Sequence, residues 1–427
     1  MERVLADIGL HAPPRALIVP TLVKERAALR WALRKPPRAP RGSFSPEALR
    51  RLDTCWAVAI GLSQVDPVPG SFYQARYARL ALETGEPGRI ALALAMEAVP
   101  AASSGPPGLR AERLLALAHE MAQGVDAPHV TGYLALAEAG VAFLTGRWST
   151  ALHNGDEAVT IFRTRCTGVS WELATALRFS LTCLWHMGRV RDLLERTDEA
   201  LREARVRADR YALTQLQTTI LPVTRLMRDD PDGAEADLEE ALASWSKHRT
   251  SLQHWQHGQA RGLWRLYRRE AGVGLAELDA SLPRIDRAFL SRIAAIRIFS
   301  LALRGLLGVA AAAWGQGDRR ALLKGAKRDT AKLAKEGFAS HMVAFLEGQI
   351  AHLEGRRSRA IERLARAARG FTERDMRLYD AVARRSRGLL LGGAEGQRLV
   401  QEAEAWMASQ GIAEPVRFAA VLAPAFA

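Results

Sequence analysis

The sequence predicts an all-α chain built as a superhelical array of antiparallel helical hairpins, and three observations predict it. Alanine, leucine and arginine dominate the 427 residues; all three are strong helix formers, and β-branched runs are short and scattered. Small turn residues recur at a near-constant interval, which is the mark of a repeat architecture. Five and twelve places after each turn stands a small or apolar residue, so one face of the following helix can approach its neighbour closely.

In chain order, residues 14–34 read as a first helix ending in "LRWALR". The N-terminal stretch "MERVLADIGLHAPPRALIVPTLVKER" reads as no secretory signal, because its apolar run is only "ALIV" and Pro20 closes it. "KPPRAPRGSFSPE", Lys35 to Glu47, is a basic, proline-rich break. Ser45, Pro46 and Glu47 then form a helix start, with serine as N-cap and proline at the first helical position. The expected organisation is an N-terminal helical segment (1–34), a linker (35–46) and a helical-repeat solenoid (47–427). A further break falls at "PAASSGPPG", Pro100 to Gly108, and no domain boundary follows it.

The hairpins are read from their turns. In "FLTGRWSTALHNGDEAVTIF", Gly146 is followed by Ala151 and Ala158. The same layout recurs at Gly85 (Ile90, Glu97), Gly188 (Leu193, Ala200), Asp229 (Ala234, Ala241), Glu270 (Leu275, Leu282), Gly317 (Leu322, Asp329) and Gly355 (Ala360, Ala367). The intervals between turns are 61, 42, 41, 41, 47 and 38 residues, and the longest has room for an extra helix, "LRAERLLALAHEMAQG". Glu97 and Asp329 put charge where a small residue is expected. The layout is that of a divergent tetratricopeptide-like solenoid with helices longer than usual. One hairpin cannot bury its own apolar face, so stacked neighbours share a core and twist into a groove that can hold a partner.

The net charge is +14, carried almost wholly by arginine. It admits nucleic acid as a possible partner, but no block of five like charges occurs, and charge spread over solvated helix faces accounts for it. The most basic segment, Gly355 to Gly388, carries eleven arginines and four acids. Arg359, Arg363 and Arg366 share a face there, as do Arg377, Arg384 and Arg387, without interleaved aromatics. Cys55, Cys166 and Cys183 are few, odd in number and far apart, which suits a reducing cytoplasm. "IAAIRIFSLALRGLLGVAAAAWG", Ile293 to Gly315, is long enough to span a bilayer, but Arg297 and Arg304 lie inside it on one face. A buried repeat helix with one wet stripe is expected, and no membrane span.

No GxxxxGK[ST] loop, kinase lid, HRD or DFG motif, GxSxG elbow or HExxH occurs. The expectation is therefore a non-catalytic chain with no catalytic, cofactor-binding or metal-binding residues and no cofactor. His254 and His257, three apart and near His248, have a workable metal-pair spacing but lack a recognisable third ligand. The tryptophans, among them Trp148, Trp171, Trp185, Trp245, Trp255, Trp264 and Trp314, are expected to pack between hairpins, with a few lining the groove.

Several strings resemble a known family. "LDTCWAVAIGLSQVDPVPGSFYQARYARLALETGEPGRIALALAMEA", "FLTGRWSTA", "FRTRCTGVSWELATA", "DDPDGA", "QHWQHGQARGLWRLY" and the closing "RDMRLYDAVARRSRGLLLGGAEGQRLVQEAEAWMASQGIAEPVRFAAVLAPAF" are similar to the C-terminal helical region of large bacterial serine/threonine protein kinases of the myxobacterial type. In that family an N-terminal kinase domain and an ATPase-like module precede a tetratricopeptide-like tail. The resemblance implies an interaction or regulatory module that meets a protein partner or kinase domain. Kinase and ATPase-like parts are missing here, so it carries no catalytic residue over, and implies either a separated tail or a piece of a longer kinase gene.

Overall fold

A computed structural model describes residues 13–34, 44–103, 109–245 and 250–427. Among them the structure is helical, with no strands. The order is α1 (Ile18–Ala32), α2 (Pro46–Val65), α3 (Pro67–Thr84), α4 (Pro87–Ala102), α5 (Leu109–Ala122), α6 (Pro128–Leu144), α7 (Trp148–Arg165), α8 (Ser170–Met187), α9 (Val190–Val206), α10 (Arg210–Thr218) and α11 (Leu221–Met227). It continues with α12 (Pro231–Ser244), α13 (Leu252–Tyr267), α14 (Ala271–Arg287), α15 (Ala294–Ala313), α16 (Arg319–Leu333), α17 (Ser340–Leu353), α18 (Arg357–Thr372), α19 (Arg377–Leu391), α20 (Gly393–Ser409) and α21 (Pro415–Leu422).

The expected turns are turns. Gly85, Gly146, Gly188, Asp229, Gly317 and Gly355 all have positive φ, and Glu270 directly follows Arg269 at φ 60°. Of the residues behind them, Ala151, Ala158, Ala234, Ala241, Ala360 and Ala367 are fully buried, whereas Leu275, Leu282 and Leu322 are half-buried. The extra helix in the long interval is α5. Two hairpins escaped the spacing rule: α2–α3, which turns at Asp66, and α19–α20, whose turn is Gly392–Gly393.

Glu97 and Asp329 are buried although charged, because arginines from adjoining helices meet them. Arg26 of α1 bonds Glu97 at 2.8 Å, and Arg304 of α15 pairs with Asp329. Burial still lifts the Glu97 carboxyl above its usual range. Arg304 also bonds Asp279 at 2.5 Å, and Arg297 bonds Glu336 at 2.8 Å. The two arginines that interrupt the apolar run of α15 are thus the sockets of neighbouring acids. Among the described residues α15 is the one helix long and apolar enough to cross a membrane, and most of it is buried here against other helices.

Some boundaries differ from expectation. Most of the 35–46 linker, residues 35–43, lies outside the described residues, as do residues 1–12 and 104–108. Pro46 does open α2, but the Ser45 side chain makes no capping bond. Helix α4 runs through Pro100 to Ala102 instead of breaking there. Helix α1 is docked on the array: Glu25 accepts hydrogen bonds from Arg76 and Arg79 of α3 at 2.7 and 2.8 Å. The first helix of the Asp229 hairpin is split into α10 and α11. Pro222 lacks the N–H that would continue the ladder, and the Thr218 and Thr219 hydroxyls donate to backbone carbonyls one turn back.

The array winds back onto itself. A Cβ on Gly146 would stand 2.9 Å from Phe338; one on Gly188 would stand 2.7 Å from the Leu378 Cβ and against its amide nitrogen. Asp229 accepts from Arg417 at 2.7 Å. These pairs are 192, 190 and 188 residues apart, so one superhelical turn takes about 190 residues, between four and five hairpins. The seam is extended by Ala413 N–H donating to Met227 O (2.8 Å) and Arg191 donating to Ser409 O (2.8 Å). Helix α21 then lies against α13, and the last residues dock on α15 and α17, where Phe426 stacks on His352 at 4.5 Å.

Candidate functional site

The first helices of successive hairpins turn toward the superhelix axis. Because the winding returns on itself, their inner faces line a central cavity of about 630 Å³. Helices α6, α8, α13, α15 and α17 supply most of its wall, and Thr218, Thr219 and Ile220 at the α10–α11 break enter it. The lining is mainly apolar and aromatic, with Phe143, Trp185, Trp255, Phe299, Phe345 and Leu303 among its members. Leu422 of α21 reaches the wall as well.

A few polar groups interrupt this surface, and several lack partners. The Nε of Arg178, Nδ1 of His186, Oε1 of Gln256 and Nε2 of Gln259 are sealed and make no hydrogen bond. His186 is sandwiched between the Trp148 ring (4.3 Å) and the Phe299 ring (5.0 Å). Its burial, with a smaller contribution from His341, pulls its pKa down to about 3, so the imidazole is neutral near pH 7. His341 is likewise pushed down to about 3, by burial and then by Arg374. Burial also lowers the pKa of Arg178.

The residues singled out in the sequence fall in other places. Trp185 and Trp255 line the cavity, and Trp255 is held by a 2.9 Å bond from Nε1 to Ser300 Oγ. Trp148 and Trp264 are buried packing residues; Trp264 donates to Pro231 O at 2.8 Å under Arg265. His254 is used locally, its Nδ1 accepting from the Ser251 backbone N–H at 3.2 Å in a capping box. His257 has its pKa lowered by burial and then by Arg261. His248 lies outside the described residues. Among the described residues no group of three or more His, Cys, Asp or Glu is placed to hold a metal ion.

The basic segment is not a continuous free stripe. Arg356, Arg363, Arg377, Arg384, Arg385 and Arg387 each ion-pair, the last five with Glu347, Asp375, Asp380, Glu404 and Glu395 respectively. Arg357 donates to Leu390 O at 2.9 Å. Arg363 is therefore taken out of the face it shares with Arg359 and Arg366.

Sequence reasoning missed Arg178, His186, Gln256 and Gln259. The signal for Arg178 was present: in "LATALRFSLTCLWHM" it is the only residue with a full charge. What the sequence did not show is that this face lines a central cavity. Compared with known proteins, the chain matches no protein-family model, and no curated protein matches it.

Proposed function

We propose that the chain is a non-catalytic helical-repeat interaction module of a cytoplasmic signalling system, working with a serine/threonine protein kinase either as its separated tail or as the regulatory region of a longer polypeptide. The observation that carries a protein-binding role is the outer face of α1. Val19, Val23 and Trp31 are 40, 63 and 72% exposed and recur at four-residue spacing with Ala27 between them, so they form one apolar stripe. A contiguous exposed apolar stripe is a mark of a docking face. The other face of α1 is fixed to the array through Glu25 and Arg26, so the stripe is presented on a supported helix.

The test is co-expression with a candidate kinase of the resembled type. The wild-type chain is expected to co-purify with the kinase and to change its phosphorylation. Val23→Asp combined with Trp31→Ala should abolish both while the thermal midpoint of the chain stays put. A kinase that neither binds the chain nor changes activity in its presence defeats the proposal. Immunoblotting of source cells separates the two forms: a band at 46.8 kDa is the separate module, and a far larger one is the tail of a kinase.

A further inference from the structure

Among the described residues, two arginines of the cavity wall, Arg178 and Arg292, have no carboxylate partner, and Arg178 is the one with a sealed, unbonded nitrogen. Arg178 lies in the middle of α8, its Nε sealed and without an acceptor. No carboxylate among the described residues pairs with its guanidinium. The Phe179 ring lies under it, its centroid 4.3 Å from the guanidinium carbon. The polar groups that face it are the Tyr211 phenol and the Cys183 thiol, neither an anion near pH 7. Arginine does not give up its proton in proteins, and an unpaired charge set in a half-buried, mainly apolar wall is costly. Of the other two arginines of the wall, Arg26 is bonded to Glu97, and Arg292 is exposed, so water solvates its charge.

The geometry points to a ligand that supplies the missing anion: the central cavity binds a small molecule with one carboxylate on an apolar body, the carboxylate pairing with Arg178 and the body lying among Trp185, Trp255, Phe299 and Phe345. A single guanidinium suits a carboxylate, which it engages in a two-pronged bond. A phosphate dianion would leave charge unmatched. The cavity of about 630 Å³ has the size of a small-molecule site and an apolar lining with few polar anchors, as such sites have. The unpaired Gln256 and Gln259 amides give further polar anchors for such a molecule. The inference goes beyond the interaction-module reading and stands without it: ligand binding and kinase association are measured separately, and either can fail alone.

The test is calorimetry on the full chain with dodecanoate and dodecanol, which share an apolar tail and differ in the head group. Dodecanoate is expected to bind saturably at one site, about tenfold to a hundredfold tighter than the alcohol. Arg178→Met should remove that preference and keep alcohol binding, and it should fold, since it deletes an uncompensated charge. Equal affinity of the wild type for acid and alcohol overturns the inference whether or not the variant folds. Absence of dodecanoate binding also overturns it, as does binding of many equivalents that Arg178→Met leaves unchanged, which is surface adsorption.

Discussion

Replacing Gly188 with alanine tests whether the superhelix closes. Gly188 and Gly355 are both hairpin turns in the left-handed region, at φ 69° and 76°. Alanine at either costs about 1–2 kcal/mol for that backbone conformation alone. They differ in what a methyl group meets. Nothing lies within 4 Å of a Cβ on Gly355, whereas at Gly188 it runs into the backbone and Cβ of Leu378, which begins α19 about one superhelical turn away. Backbone cannot swing aside as a side-chain tip can, so about 1–3 kcal/mol of overpacking adds to the backbone term. The seam must also part near Trp185, whose ring packs edge-on against Tyr379 at 5.9 Å and Phe418 at 6.2 Å. The expected losses are about 2–5 kcal/mol for Gly188→Ala and about 1–2 kcal/mol for Gly355→Ala. Urea unfolding of the full chain reads both. Equal losses would show that the α8–α9 turn does not touch α19, and the closed winding, with the cavity it creates, would be refuted.

Other outcomes follow from the same packing. Arg304→Met leaves Asp329, 2% exposed, facing only Arg328 at 3.6 Å, and should cost about 3 kcal/mol in urea unfolding; adding Asp329→Ala should restore most of it, and no restoration would mean the pair is not coupled. His186 and His341 have folded-state pKa values of about 3, below the ordinary histidine value of about 6.5, so the unfolded chain takes up protons first as pH falls. Stability should be full above about pH 6.5 and be lost as pH drops toward 3, by up to about 5 kcal/mol for His186. His186→Phe keeps a ring between Trp148 and Phe299 and should flatten the dependence of the thermal midpoint on pH; an unchanged slope would place the acid sensitivity elsewhere. Phe418→Ala, at a site 1% exposed on α21, should cost about 3–5 kcal/mol. A loss below 1 kcal/mol in the same assay would show that α21 is not part of the core.

Much of the candidate site was hidden by its construction. Trp185 and Trp255 were expected as packing or groove residues, and both line the cavity. Arg178 was visible only as one charge in an apolar helix, because whether a charge is paired depends on helices far away in sequence. The same reason explains Glu97 and Asp329. They look like errors in a small-residue pattern until Arg26, 71 residues away, and Arg304, 25 residues away, are brought against them. The Gly392–Gly393 turn stood in the sequence as "LGGAEG", but its second helix is short of the small-residue spacing that marked the others.

Local and periodic features were determined by the sequence itself: the helical class, seven of the hairpin turns, and the faces that carry Ala151, Ala158, Ala360 and Ala367 into the core. These depend on propensity, on backbone that tolerates positive φ, and on 3.6-residue periodicity, all of which act within one hairpin. Tertiary structure alone decided the closure and everything that depends on it: the seam from Gly146 to Phe338 and from Asp229 to Arg417, the central cavity, and the place of Arg178 on its wall. Closure is the sum of small rotations between successive hairpins over about 190 residues. No single hairpin encodes that sum, because it is set by how each pair of neighbours packs.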